Sequence, residues 1–185
     1  MNSKDQIQRF IFEQLGARGL LVKMNDSFLE ATAKHNYPPA IQTMLGEFMA
    51  AASLLSTTIK FEGSLTLQIQ GNGLLSMMMA ECRHNQEIRS IARWEGEQEP
   101  NNSDLRTLVG EARMVITITP DKGQRYQGII ALENDTLAAC LEDYFEKSEQ
   151  LKTRIWLSAL PGSCSAGLLI QVLPDTQGSI EDTDG

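Results

Sequence analysis

The stretch PAIQTMLGEFMAAASLLSTTIK, residues 39–60, decides the fold. Pro39 suits the first turn of a helix, where its missing N–H would lack a partner anyway. Ile41, Met44, Leu45, Phe48, Met49, Ala51, Ala52, Leu54 and Leu55 then occupy more than one helical face. A helix that is apolar nearly all round is a buried helix. Gly46 in its interior costs about 1 kcal/mol relative to Ala, which points to another backbone passing close by.

The segments around it are mostly strands. DQIQRFIFEQLGARGLLVKM (5–24) reads as a β-hairpin, although its first half also fits a helix. SFLEATAKHN (27–36) opens with Ser27 and Glu30 at capping-box spacing and predicts a short helix ending before Tyr37-Pro38-Pro39. In SLTLQIQ (64–70), Leu65, Leu67 and Ile69 alternate with polar residues, the period of a half-buried strand. Asn72-Gly73 signals a hairpin turn. LLSMMMAECR (74–83) then begins a second strand and EIRSIARWEG (87–96) the return. EGEQEPNNSD (95–104) is a polar loop, and SDLRTLVG (103–110) a helical turn capped by Ser103 or Asp104. ARMVITITP (112–120) and QRYQGIIALE (124–133) are strands. DTLAACLEDYFEKSEQ (135–150) is an amphipathic helix with Leu137, Cys140, Leu141, Tyr144 and Phe145 as its stripe and Asp135 or Thr136 as its cap. LKTRIWLSAL (151–160) and AGLLIQVLP (166–174) are the last strands. The expected class is α+β: mostly antiparallel sheets packed around a buried central helix.

Composition bounds the function. The 185 residues suit one domain, 1–173, followed from 174 by an acidic tail that reads as a solvated linker. Four of the 24 acids (Asp175, Glu181, Asp182 and Asp184) lie in that tail with no Lys or Arg, so 20 acids face 16 bases in the rest. This balance argues against nucleic acid or an anionic membrane as the main partner, because phosphate binding needs a basic face. No apolar run approaches the ~20 residues that cross a bilayer. MNSKDQIQRF has no signal-peptide core, which makes a cytoplasmic location the default.

Signals of catalysis are poor. Cys82, Cys140 and Cys164 are odd in number and have no C-x-x-C spacing, so they form neither a disulfide framework nor a zinc site. PGSCSAG (161–167) fails the G-x-S-x-G pattern of a nucleophile elbow. Cys82 and His84 fall on one side of a strand, but nothing supplies an orienting acid or an oxyanion hole. The GNG at 71–73 lacks the lysine and the strand-to-helix context of a phosphate loop. Asn101-Asn102-Ser103 matches a glycosylation sequon, idle in a cytosolic protein. Glu142 and Asp143 are helix neighbours that point apart and make no dyad.

ITITPDKGQRYQGIIALENDTLAACLEDYFEKSEQLKTRIWL (116–157), with TLVG, YPPAI, SLTLQIQGNG and GLLIQVLP in order elsewhere, closely resembles the redox-regulated 33 kDa chaperonin family, heat shock protein thirty-three. The resemblance spans nearly all of residues 5–174. It implies a cytosolic holdase that binds unfolding or aggregation-prone client proteins without ATP during oxidative and heat stress, and that forms a homodimer. Members of that family continue into a linker and a module in which C-x-C and C-x-x-C cysteines hold zinc when reduced and form disulfides when oxidised. Those motifs do not occur in this sequence. The resemblance therefore implies a core without its switch, with no cofactor of its own and zinc in the absent module. A thiol enzyme using Cys82 with His84, or Cys164, and a scaffold with one dedicated partner are the rival readings.

A holdase needs an apolar surface that adapts to many partners, and Met is flexible and polarizable. Three consecutive Met stand beside Leu75. Strand alternation sends Met78 one way and Met77 and Met79 the other. Leu75, Met77, Met78 and Met79 are therefore the candidate client-binding residues, one Met set packing in the core and the other covered by the linker when the chaperone is off.

Overall fold

The first two and last two described strands build one face of the molecule and the middle strands the other, with the 39–58 helix between them. The computed structural model describes residues 4–60, 62–96, 100 and 104–174. The chain runs β1 (Gln6–Phe12), a short 3-10 turn, β2 (Ala17–Met24), α1 (Asp26–Ala33), α2 (Pro39–Thr58), β3 (Gly63–Gly71), β4 (Leu75–Arg83) and β5 (Ile88–Trp94). It continues as α3 (Leu105–Val109), β6 (Ala112–Pro120), β7 (Tyr126–Ile130), α4 (Leu137–Ser148), β8 (Thr153–Leu160) and β9 (Cys164–Val172). β1-β2-β9-β8 form a four-stranded sheet and β5-β4-β3-β6-β7 a five-stranded one. Every pairing is antiparallel. The α+β arrangement around a buried helix is as expected.

α2 touches β2, β8 and β9 of one sheet and β3, β4 and β5 of the other. Its residues from Phe48 to Ser56 are all buried, so no face is left for solvent. Gly46 is required by side chains of α1 and of the four-stranded sheet rather than by a second backbone. A Cβ there would lie 2.5 Å from Ala159 Cβ and 2.7 Å from Phe28 Cε2. The stripe on α4 is buried throughout. None of the described helices is long and apolar enough to cross a membrane.

Local details differ from the sequence expectation where partners come from far along the chain. The Ser27–Glu30 capping box does not form. Instead Asp5 accepts from the N–H groups of Asn25, Asp26 and Ser27, and α1 starts one residue earlier than Ser27. Thr136 caps α4 and Asp104 caps α3 through their side chains. The sequon at 101–103 and the tail from 175 lie outside the described residues. The GNG turn is a backbone dock. Gly73 N–H donates to Val109 C=O at 2.9 Å, and a Cβ on Gly73 would lie 2.4 Å from Leu108 O.

Candidate functional site

A strand with apolar residues at both parities can hide only one set beneath it. β1, β2, β8 and β9 all have that pattern. Leu20, Val22, Met24, Ile155 and Leu169 are buried against the interior. The alternate residues share the outer face of the four-stranded sheet, where the register aligns them in rows. Gln8, Leu21, Leu168 and Trp156 form one row, and Phe10, Gly19, Ile170 and Arg154 the next. Phe12, Ala17 and Val172 form a third. At ordinary strand and residue spacing these rows span roughly 14 Å each way, a plate on the order of 400 Å² with its side chains.

No element of the described structure covers this plate. Trp156 is 53% exposed, Val172 46%, Phe12 40%, Phe10 39% and Leu21 36%. Leu168 and Ile170 between them are half-buried. Gly19 leaves room for the two phenylalanines, whose rings come within 3.3 Å of where its Cβ would be. The polar positions lie on the rim: Gln6, Gln8, Lys23 and Arg154. Glu142 of α4 holds Arg154 at 2.9 Å and accepts from Ile155 N–H at 2.7 Å, which occupies part of the free edge of β8. A contiguous apolar patch of this size is at the scale that marks interaction surfaces.

The methionine run falls on the other sheet and is divided by its alternation. A bulge between Leu75 and Met77 shifts the register, so Leu75 and Met78 both point inward. Each is 0% exposed. As candidates for surface contact these two are corrected: they are core, with nothing to offer a partner while the domain is folded. Met77 and Met79 are half-buried on the outer face. There Met79 lies between Ile91 and Gln68, and Met77 between Arg93 and Gln70, so apolar and polar side chains are mixed. The plate was missed at the sequence level. Its signal was present in FIF at 10–12 and LLI at 168–170, apolar at both parities like the methionines.

The thiols are not arranged for chemistry. Burial pushes the Cys82 thiol up to about 11, and its Sγ lies 3.6 Å from both Gln86 Oε1 and Arg83 O. His84 does not serve it, since its Nδ1 accepts from Gly63 N–H at 3.2 Å. Burial also raises Cys140. A thiol held above its ordinary pKa carries little of the reactive thiolate. Cys164 is half-buried at the start of β9. Glu142 and Asp143 diverge as expected, Asp143 taking Asn134 and Lys147. Among the described residues no three His, Cys, Asp or Glu side chains gather as a metal site.

The model of the Hsp33 protein family matches residues 5–184. A 33 kDa chaperonin from Vibrio cholerae is 44% identical over 183 residues, covering 97% of this chain and 62% of the relative. One from Salmonella typhi is 46% identical over 187 residues, covering 100% and 64%. The crystal structure of the 33 kDa chaperonin (heat shock protein 33 homolog) from Thermotoga maritima superposes with a TM-score of 0.81 over 93% of this chain and 62% of that one. At 19% identity it shows the shared fold. The chain spans about three fifths of the length of the curated relatives it matches.

Proposed function

The chain belongs to the Hsp33 protein family, and on that footing we propose that it is the core of an ATP-independent holdase, a chaperone that captures unfolding proteins and does no covalent chemistry. The observation that carries this reading is the uncovered plate of Phe10, Phe12, Leu21, Trp156, Leu168, Ile170 and Val172. Unfolding proteins expose apolar segments of no fixed sequence, and a broad apolar face with a polar rim takes them without demanding a particular pattern. Burying about 400 Å² stabilises a complex by roughly 10 kcal/mol gross at 25 cal/mol per Å². The cost of association, estimated at about 4–15 kcal/mol, offsets most of that. Capture is therefore weak per site and reversible, as holding without ATP requires.

In this reading residues 1–173 are the chaperone core and 174–185 the start of an acidic linker. Leu173 N–H donates to Gly16 C=O at 2.7 Å, so the chain leaves the sheet beside the plate. Zinc and redox control are assigned to none of Cys82, Cys140 and Cys164, two of which are buried. The protein is cytoplasmic and works as a homodimer, apart from nucleic acid and membranes. The net charge of -8 favours that separation.

The test is light scattering of a heat-unfolded enzyme with the chain added, with and without reductant. Suppression in both conditions is expected, and a Trp156→Gln, Leu168→Gln double variant should lose it while keeping its fold. A folded chain that leaves aggregation unchanged overturns the holdase reading. A double variant as active as the parent moves the surface elsewhere.

A further inference from the structure

Arg18 is half-buried, and its guanidinium has no carboxylate partner among the described residues. It lies on the inner side of β2, opposite Gln171 of β9. Its Nε and Nη2 donate to Gln171 Oε1 at 3.2 and 2.6 Å. Gln171 is 1% exposed and passes the polar chain on, its Nε2 donating to Thr153 Oγ1 at 2.9 Å. Thr153 in turn donates to Leu151 C=O at 3.0 Å. Every acceptor in this chain is neutral. Arg18 makes no ion pair with a described carboxylate, and burial pulls its pKa below that of a free arginine. Two of the five guanidinium N–H donors are used, which leaves three.

Arg18 lines a cleft of about 350 Å³, open to solvent, where the ends of the two sheets meet the end of α2 and the flank of α4. Ile59, Ile118 and Leu151, all half-buried, make its accessible apolar walls, with Leu55, Leu65 and Ile116 closing the core behind them. Lys60 adds a second cation. Among the described residues Glu149 is the one acid in the wall, and it accepts from the Tyr144 hydroxyl at 3.2 Å rather than pairing with Arg18. The volume lies within the range of small-molecule sites, which combine mostly apolar walls with a few fixed polar groups.

We infer that this cleft is a binding site for a small monocarboxylate with an apolar body, its carboxylate on Arg18 with Lys60 nearby and its hydrocarbon against Ile59, Ile118 and Leu151. A planar guanidinium matches a carboxylate in two parallel hydrogen bonds. The apolar walls disfavour a doubly charged or wholly polar anion, since its remaining charge would be desolvated without partners. The site is separate from the plate, on the inner side of the same sheet, and stands or falls independently of the chaperone reading.

The experiment titrates the 185-residue chain with octanoate, and separately with octanol, following methyl resonances and heats of binding. Saturable shifts of the Ile59, Ile118 and Leu151 methyls are expected, with octanol weaker by about tenfold, the loss of one charge-assisted hydrogen bond. Arg18→Gln should weaken octanoate by about the same factor. Leu151→Trp, which fills the cleft, should abolish the shifts while the remaining spectrum reports a folded chain. Should Arg18→Gln fail to fold, the octanoate-to-octanol comparison on the parent chain decides the role of charge. Equal affinity for the two probes overturns the inference. So do shifts confined to Leu21, Leu168 and Ile170 on the outer face.

Discussion

Asp5 caps a helix it does not belong to: its Oδ1 accepts from the backbone N–H of Asn25 at 2.7 Å, twenty residues along the chain. Its other oxygen takes the N–H and hydroxyl of Ser27. One side chain thereby satisfies three of the unpaired donors at the start of α1 and fastens the strand that carries Phe10 and Phe12. Asp5→Ala should cost about 2–3 kcal/mol, more than an ordinary cap because charged hydrogen bonds are lost together. Thermal unfolding should show a Tm lower by roughly 5–10 °C.

Met77, Met78 and Met79 separate by consequence as well as by direction. Met78→Gln puts an amide into the core, where it finds no partner, and should destabilise by about 3 kcal/mol or more. Met77→Gln with Met79→Gln, on the outer face, should leave stability within about 1 kcal/mol of the parent. Denaturant titration measures both. If the outer methionines add to client capture, scattering in the presence of the pair variant rises above that of the parent. Equal suppression confines capture to the plate.

Glu47 has its carboxyl pushed up to about 7 by burial in α2, with no hydrogen-bond or ion partner among the described residues. Its protonated form is the one the fold favours. Stability from this group is complete below about 4.5, the unfolded value, and is lost as pH rises to about 7. Glu47→Gln should match the parent at pH 4.5 and exceed it at pH 8 by on the order of 2 kcal/mol. Unfolding midpoints at the two pH values test the sign, and a variant weaker at pH 8 would show that the carboxylate has a stabilising role.

Alkylation should rank the thiols by exposure. In the native chain at neutral pH Cys164, half-buried, should label first, and Cys82 only in denaturant. Mass spectrometry of the labelled peptides reads the order. Fast native labelling of Cys82 would restore the thiol-enzyme reading.

The elements that depend on local period were legible in the sequence. The all-round apolar surface of α2 announced a layer on each side, and the alternation of Leu65, Leu67 and Ile69 announced β3. The stripe on α4 was read residue by residue. What stayed hidden depends on pairing between distant segments. Nothing near Ser27 shows that Asp5 will take the place of its capping box. Nothing in 164–172 shows that its partners are 17–24. The plate went unread for the same reason: the parity conflict in MMM and in FIF and LLI is the same signal, and only the sheet order shows which stretches line up across four strands. At Leu75 the bulge reverses parity locally, which alternation alone does not reveal.

Because β1 and β2 are the first described strands and β8 and β9 the last, Arg18 meets Gln171 across 153 positions. During synthesis at about 5–20 residues per second, the amino-terminal hairpin waits roughly 10–30 s for the strands that complete its sheet. Pairings this remote in sequence also make folding slow. Until they form, Phe10, Phe12 and Leu21 lie on an unfinished ribbon with an open edge at β2, a template for pairing with other chains. For that interval a nascent molecule exposes the same kind of apolar surface that an unfolding protein does.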